Sequence, residues 1–187
     1  TAAKYGAVIT TRTRCEELVK KGKKIVGAIV RDLETGDDIE VRAKTTIMAA
    51  GVWTDPLYEK FGIKPGYAVR MSKGAHIVVP GNAIKSETGV IIKTDVSVLF
   101  IIPWGDKWIV GTTDTDYDES REEPLASRED VTYIINQANR VLEPKLRRDQ
   151  VIGVFAGLRP LVSTDPDSPT TKLSREHVVD SPVPGFV

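Results

Sequence analysis

The sequence predicts an α+β fold, a mostly antiparallel sheet with flanking helices, preceded by a β-meander. Three observations predict it. Short runs rich in Ile and Val recur between clusters of turn formers along most of the chain. The stretch Leu99-Phe-Ile-Ile-Pro-Trp-Gly-Asp-Lys-Trp-Ile-Val-Gly-Thr-Thr-Asp114 reads as a hairpin, strands 99–103 and 108–112 around Gly105-Asp106. The clearest helical spacing belongs to Val131, Ile134, Ile135, Ala138 and Leu142, which follow the capping-box pair Ser127 and Asp130.

Taken in order, residues 7–14 alternate as a strand. Lys20-Lys-Gly-Lys-Lys24 is a charged turn, and without aromatic partners it reads as a solvated hairpin tip, not a binding patch. Strand 24–32, the turn Glu34-Thr-Gly-Asp37, strand 38–43 and an apolar strand 45–49 complete the meander. The last strand runs into Ala49-Ala-Gly-Val-Trp-Thr-Asp55, where Thr54 can cap a short helix with Pro56 in its first turn and Gly62 past its end. A strand meeting Gly and then a helix start offers free N–H groups where nucleotides dock in sheet proteins, but the pattern alone favours an ordinary tight junction.

Pro65-Gly66 marks a boundary, dividing the chain into 1–64 and 65–187. Beyond it come strands 69–71 and 76–80, split at Ser72-Lys-Gly-Ala75, then strand 89–92 and the hairpin. Residues 116–130 read as an exposed acidic loop, Pro144 as the stop of the helix, and 150–161 as a long strand. A loop over 163–171 and a final strand over 174–180 follow.

Composition narrows the function classes. The 187 residues carry 26 basic and 26 acidic side chains, so nothing draws the chain to nucleic acid. The single cysteine, Cys15, excludes an internal disulfide and fits a reducing, cytoplasmic setting. No apolar run reaches the roughly 18 residues of a membrane helix. The first residue is not Met and the apolar run Pro182-Val-Pro-Gly-Phe-Val187 stops abruptly, so the chain is expected to be a piece of a longer protein. The sequence has no metal-ligand spacing, no G-x-S-x-G, no P-loop and no G-x-G-x-x-G, which leaves hydrolase and metal chemistry without support.

Four polar residues sit where apolar strands should exclude them. His76 opens Ile-Val-Val, Thr113 and Asp114 end the hairpin behind Gly111, and Arg159 lies in Val-Phe-Ala-Gly-Leu-Arg-Pro-Leu. A buried arginine needs a carboxylate, carbonyls or an anionic ligand. Asp114 is one candidate partner: the pair is either a structural salt bridge or one wall of a site for a small phosphate or carboxylate. His76 alone reads more readily as a satisfied histidine than as a catalyst.

Lys73-Gly-Ala-His-Ile-Val-Val-Pro80, Phe100-Ile-Ile-Pro-Trp104, Ile109-Val-Gly-Thr-Thr-Asp114, Gly157-Leu-Arg-Pro-Leu161 and Ser174-Arg175 fall in order with Ala49-Ala-Gly-Val-Trp53. Together they resemble the middle part of the FAD-dependent glycerol-3-phosphate dehydrogenases, respiratory enzymes that pass electrons to quinone. The resemblance covers essentially the whole chain. Two mild departures stand out: Ala-Ala-Gly-Val-Trp where that family usually has Ala-Thr-Gly-Pro-Trp, and Gly-Ala-His where it often has Gly-Ser-His.

The resemblance implies that residues 1–64 are part of an FAD-binding domain and 65–187 a substrate-binding domain. It implies that His76, Thr113, Asp114 and Arg159 line the substrate side of the flavin, with Arg159 nearest the reacting hydroxyl and Arg175 on the phosphate. Ala49, Ala50 and Gly51 would pass close to FAD, and Arg14 and Cys15 would lie by its adenine. The reaction implied is hydride transfer from sn-glycerol 3-phosphate to FAD, giving dihydroxyacetone phosphate, in a parent enzyme peripheral on the inner face of a membrane. The fragment itself, lacking the glycine loop for the FAD pyrophosphate, is expected to be inactive and not to retain FAD. Two alternatives remain: an amino-acid-oxidase-type flavoprotein, which would not need Arg175, and a binding module without chemistry.

Overall fold

The computed structural model describes residues 1–95, 97–163, 173 and 175–187. The chain forms two compact units: residues 1–50, 54–66 and 178–187, and residues 51–53 and 67–177.

The first unit is built on an antiparallel meander of β1 (Thr13–Lys21), β2 (Lys24–Asp32) and β3 (Asp38–Arg42). Gly22, at φ 61, turns the chain between β1 and β2 in the left-handed conformation that glycine adopts without strain. β1 starts six residues later than the alternation of 7–14 predicts. Its pairing with β2 slips between Cys15 and Glu17 and again between Val19 and Lys20, and these bulges erase the period-two signal in the sequence. The expected strand 45–49 is a short parallel pairing with the end of the chain: Thr46 N–H donates to Gly185 O at 2.9 Å and Met48 N–H to Val187 O at 2.8 Å. A ladder so brief does not bury its side chains, and Ile47 is 72% exposed. Helix α1 (Thr54–Phe61) continues a 3-10 turn over Gly51–Trp53, so Thr54 is its first residue and not a cap before it. Tyr58 on α1 meets Phe186 edge to face, with ring centroids 6.2 Å apart.

The second unit is a six-stranded antiparallel sheet. Its strands are β4 (Ala68–Pro80), β5 (Val90–Lys93), β6 (Val98–Trp104), β7 (Lys107–Gly111), β8 (Thr115–Tyr117) and β9 (Gly153–Ser163). β4 pairs with β7 and β8 along one edge and with β9 along the other. One continuous β4 replaces the two strands expected on either side of 72–75. The polar Ser72 and the bare Gly74 are strand positions whose environment is supplied by the site described below. The first two residues of the expected acidic loop, Asp116 and Tyr117, form β8 together with Thr115. Ser174 and residues 164–171 of the expected loop lie outside the described residues. Among the described residues, 175–180 form no strand, and Val178 and Val179 are 48% and 73% exposed.

Helix α2 (Arg128–Ala138) begins with the capping box read from the sequence: Asp130 N–H donates to Ser127 Oγ at 3.1 Å and Ser127 N–H to Asp130 Oδ2 at 2.8 Å. It stops at Ala138, well before Pro144. Asn139 takes over, its side chain donating to Leu146 O and accepting from Leu146 N–H, which folds Leu142 and Leu146 into the core. Val131, Ile134, Ile135 and Ala138 pack with Ala75, Ile77 and Val79 of β4, Leu99 and Ile101 of β6, and Trp108 and Val110 of β7. Each Val, Leu or Ile side chain among them contributes roughly 1.5–3 kcal/mol by leaving water. Because side chains alternate along a strand, this leaves Ser72, Gly74 and His76 on the sheet face away from α2.

Candidate active site

On that open face the register sets three rows across β4 and β9: His76 opposite Phe155, Gly74 opposite Gly157, and Ser72 opposite Arg159. Gly111 at the end of β7 lies opposite His76 on the other side. The chain leaves β7 through Thr112, Thr113 and Asp114, and these residues bind back to β4 and β9.

Arg159 lies half-buried across β4. Its Nη2 donates to Thr112 Oγ1 at 2.8 Å and its Nη1 to Thr113 O at 3.3 Å. Burial pushes this guanidinium below its usual range, the charge of Asp114 opposes that, and the charge of Arg175 adds to it. An arginine starts so far above neutrality that it stays charged. Asp114, whose side chain is 1% exposed, is held by others: Ser72 Oγ donates to its Oδ1 and Arg175 Nη2 to its Oδ2, both at 2.6 Å. Asp114 therefore acts on Arg159 through its field, and the hydrogen bonds of Arg159 go to Thr112 and Thr113. The Arg175 side chain remains 55% exposed.

Thr113 is turned into the sheet. Its hydroxyl accepts from Ala75 N–H at 2.9 Å and lies 3.5 Å from Lys73 O as a donor, fixing the segment to β4. His76 stacks on Phe155 with centroids 4.8 Å apart and planes 9° from parallel. Its Nδ1 is buried without a hydrogen-bond partner among the described residues. Burial, and then the charge of Arg159, lowers the pKa of His76 below the ordinary histidine value, so the ring is uncharged at neutral pH.

His76, Thr113, Asp114, Arg159 and Arg175 are thus gathered at the end of β7. One buried carboxylate holds the Arg175 guanidinium and acts through its field on that of Arg159, beside a neutral imidazole. The excess positive charge suits an anion with oxygens for bidentate contact, a phosphate or a carboxylate. Sequence reasoning passed over Thr112, Ser72 and Phe155. The adjacent hydroxyls of Gly111-Thr-Thr-Asp114 were the available signal for Thr112. Nothing local distinguishes Phe155 from a core aromatic.

The residues expected near a cofactor lie elsewhere in the chain. Ala49 and Gly51 are exposed, Ala50 is partly so, and Gly51 has φ 57. This strip of small side chains and accessible backbone, with a left-handed glycine where a Cβ would be strained, fits close approach of a bulky ligand. On β1, Arg14 is paired with Glu16 at 2.7 Å, and the Cys15 carbonyl accepts from Lys60 at 3.1 Å. Burial raises the pKa of the Cys15 thiol, the charge of Lys60 opposing, so it is no reactive thiolate. Among the described residues no group of three or more His, Cys, Asp or Glu is placed to hold a metal.

A family model described as FAD dependent oxidoreductase (DAO) matches residues 1–185. Over its whole length the chain is 44% identical to the glycerol-3-phosphate dehydrogenase of Mycobacterium leprae and 36% identical to the human mitochondrial glycerol-3-phosphate dehydrogenase. It spans only 32% and 27% of those two proteins. It is also similar to the solved glycerol-3-phosphate dehydrogenase of Bacillus halodurans complexed with FAD. There the TM-score is 0.78 at 36% identity, over 87% of this chain and 33% of that one. L-proline dehydrogenase of P. horikoshii matches at a TM-score of 0.65 and 16% identity, over 89% of this chain and 42% of that one, a likeness of fold alone.

Proposed function

The chain belongs to the FAD-dependent oxidoreductases, and from that premise we propose that it is the central part of a flavoprotein that oxidises sn-glycerol 3-phosphate to dihydroxyacetone phosphate. The observation that carries this reading is the pair Arg159 and Arg175 around buried Asp114, beside an uncharged His76. In this reading residues 1–64 contribute part of the FAD-binding domain and 65–187 the substrate-binding domain. Ala49, Ala50 and Gly51 line the cofactor, with Arg14 and Cys15 towards its adenine. Bound FAD supplies the two-electron acceptor that the oxidation of an alcohol requires.

The chain's own residues do the rest. Arg175, oriented through its bond to Asp114, offers its other donors to the phosphate dianion. Arg159, fixed by Thr112 and Thr113, hydrogen-bonds the C2 oxygen and stabilises the negative charge that grows there. His76 accepts the C2 hydroxyl proton as the C2–H bond breaks and its electron pair leaves with the hydrogen. A neutral ring is required for that, and burial beside Arg159 keeps it neutral. Thr113 holds the segment in place without touching substrate. The electrons pass on to quinone, and the full-length protein works as a peripheral protein on the inner face of a membrane. Among the described residues no helix is long and apolar enough to cross one.

The test uses the full-length protein with FAD bound, under anaerobic conditions. Adding sn-glycerol 3-phosphate should bleach the flavin absorbance and yield one dihydroxyacetone phosphate per flavin. A flavin that stays oxidised with glycerol 3-phosphate but bleaches with an amino acid would replace this reading with the amine-oxidising one.

A further inference from the structure

We infer that the cross-strand glycines Gly74 and Gly157 determine which substrates fit, one by seating Arg159 and the other by leaving a slot for the substrate's carbon chain; the inference rests on the function proposed above. The two face each other in register on the open side of the sheet, yet they are bare for opposite reasons. A Cβ on Gly74 would stand 2.5 Å from Nη1 of Arg159, inside the guanidinium itself. Gly74 is therefore the bed that lets Arg159 lie flat across β4 and reach Thr112 and Thr113.

Among the described residues Gly157 has no such neighbour. A Cβ there would meet none of them within 4 Å, and its backbone is not in the left-handed region, so neither their packing nor conformation calls for glycine. Glycine weakens a strand interior, and where packing does not explain it, it marks a close approach by something else. Its neighbours on the same face of β9 are Phe155, stacked on His76, and Arg159. At roughly 3.4 Å per residue their backbones are about 14 Å apart along the strand, with Gly157 midway. The Arg159 guanidinium reaches back over Gly74, the residue opposite Gly157. Gly157 therefore lies beside both the stacked His76–Phe155 pair and the guanidinium assigned to the reacting oxygen. A short phosphorylated polyol, unbranched at the carbons that cross Gly157, fits over a bare strand there; a side chain at 157 would occupy the same volume.

The test compares wild type, Gly157→Ala and Gly157→Val in the full-length holoenzyme. Three quantities are read: kcat/KM for sn-glycerol 3-phosphate, Ki for inorganic phosphate, and FAD content. The slot predicts a loss of kcat/KM of at least tenfold for Ala and a larger one for Val. Phosphate, which needs the arginines but no room for carbon, should keep its Ki within twofold, and FAD content should not change. For Gly74, substitution by Ala should lower kcat/KM strongly in wild type and little further in an Arg159→Lys background, where no planar group remains to be displaced. Gly157 variants with kcat/KM within twofold of an active wild type overturn the slot and leave the proposed function standing. Loss of FAD or a parallel rise in phosphate Ki also overturns it, because the position would then face protein and not substrate. A wild type that does not turn over glycerol 3-phosphate removes the proposed function and the slot together.

Discussion

Replacing Arg159 by Lys keeps the charge and removes the fork. The guanidinium makes two hydrogen bonds to two different acceptors, Thr112 Oγ1 at 2.8 Å and Thr113 O at 3.3 Å, while lying flat over Gly74. A single ammonium at the end of a flexible stem keeps one of them and points less reliably at a substrate oxygen. A hydrogen bond to a charged group contributes about 1.5–3 kcal/mol. Losing one then lowers kcat/KM about 10- to 150-fold, since each 1.36 kcal/mol is tenfold in rate. Because Arg159 is assigned to the reacting oxygen, the loss should appear in kcat more than in KM. The assay is steady-state kinetics on the full-length protein with an artificial electron acceptor, with FAD content and thermal midpoint measured on the same preparations. A variant within twofold of wild type refutes the assignment. So does a loss confined to KM, which would make Arg159 a binding residue only.

Three further outcomes follow from the same geometry. Arg175→Lys should weaken substrate binding by about 1–3 kcal/mol, read in KM with kcat little changed; an untouched KM would remove Arg175 from the phosphate. Thr113→Val preserves shape but leaves the buried Ala75 N–H without its acceptor, so urea unfolding should show a loss of about 1–3 kcal/mol, and a change under about 0.5 kcal/mol would mean the segment is held otherwise. The pH profile of kcat/KM should fall on the acid side only below the ordinary histidine pKa, because burial and then Arg159 disfavour the charged ring; Arg159→Gln, which removes one of those two causes, should move that limb to higher pH, and a downward move would contradict the pairing.

What the sequence made legible depended on whether local chemistry or distant contacts decided a residue's place. β2 over Lys24–Asp32 reads directly because Ile25, Val26, Ala28, Ile29 and Val30 keep it apolar on either side of Gly27. The start of α2 reads directly because Ser127 and Asp130 satisfy each other's backbone within one turn. The β6–β7 hairpin is set by its own turn at Gly105, φ 61. β4 was misread where it matters most. Ser72 and Gly74 look like a break, and their partners, Asp114 and Arg159, come from 42 and 85 positions further along the chain. A polar or bare residue in a strand is uninformative until one knows what lies over it. The same holds for the site. That His76, Asp114 and Arg159 were out of place among apolar residues was visible in the sequence. That Asp114 holds Arg175, and that Arg159 rests on Thr112, depends on register between strands remote in sequence. Thr113 shows the opposite limit: its type and position suggest chemistry, and its hydroxyl is spent on the backbone of β4.

The most direct test of the account is a crystal structure of the full-length protein with dihydroxyacetone phosphate bound. The account predicts the phosphate on Arg175, the C2 oxygen within hydrogen-bond distance of Arg159 and His76, and the carbon chain lying over Gly157. A ligand held away from the open face of this sheet, or bound with its phosphate on neither arginine, would contradict it.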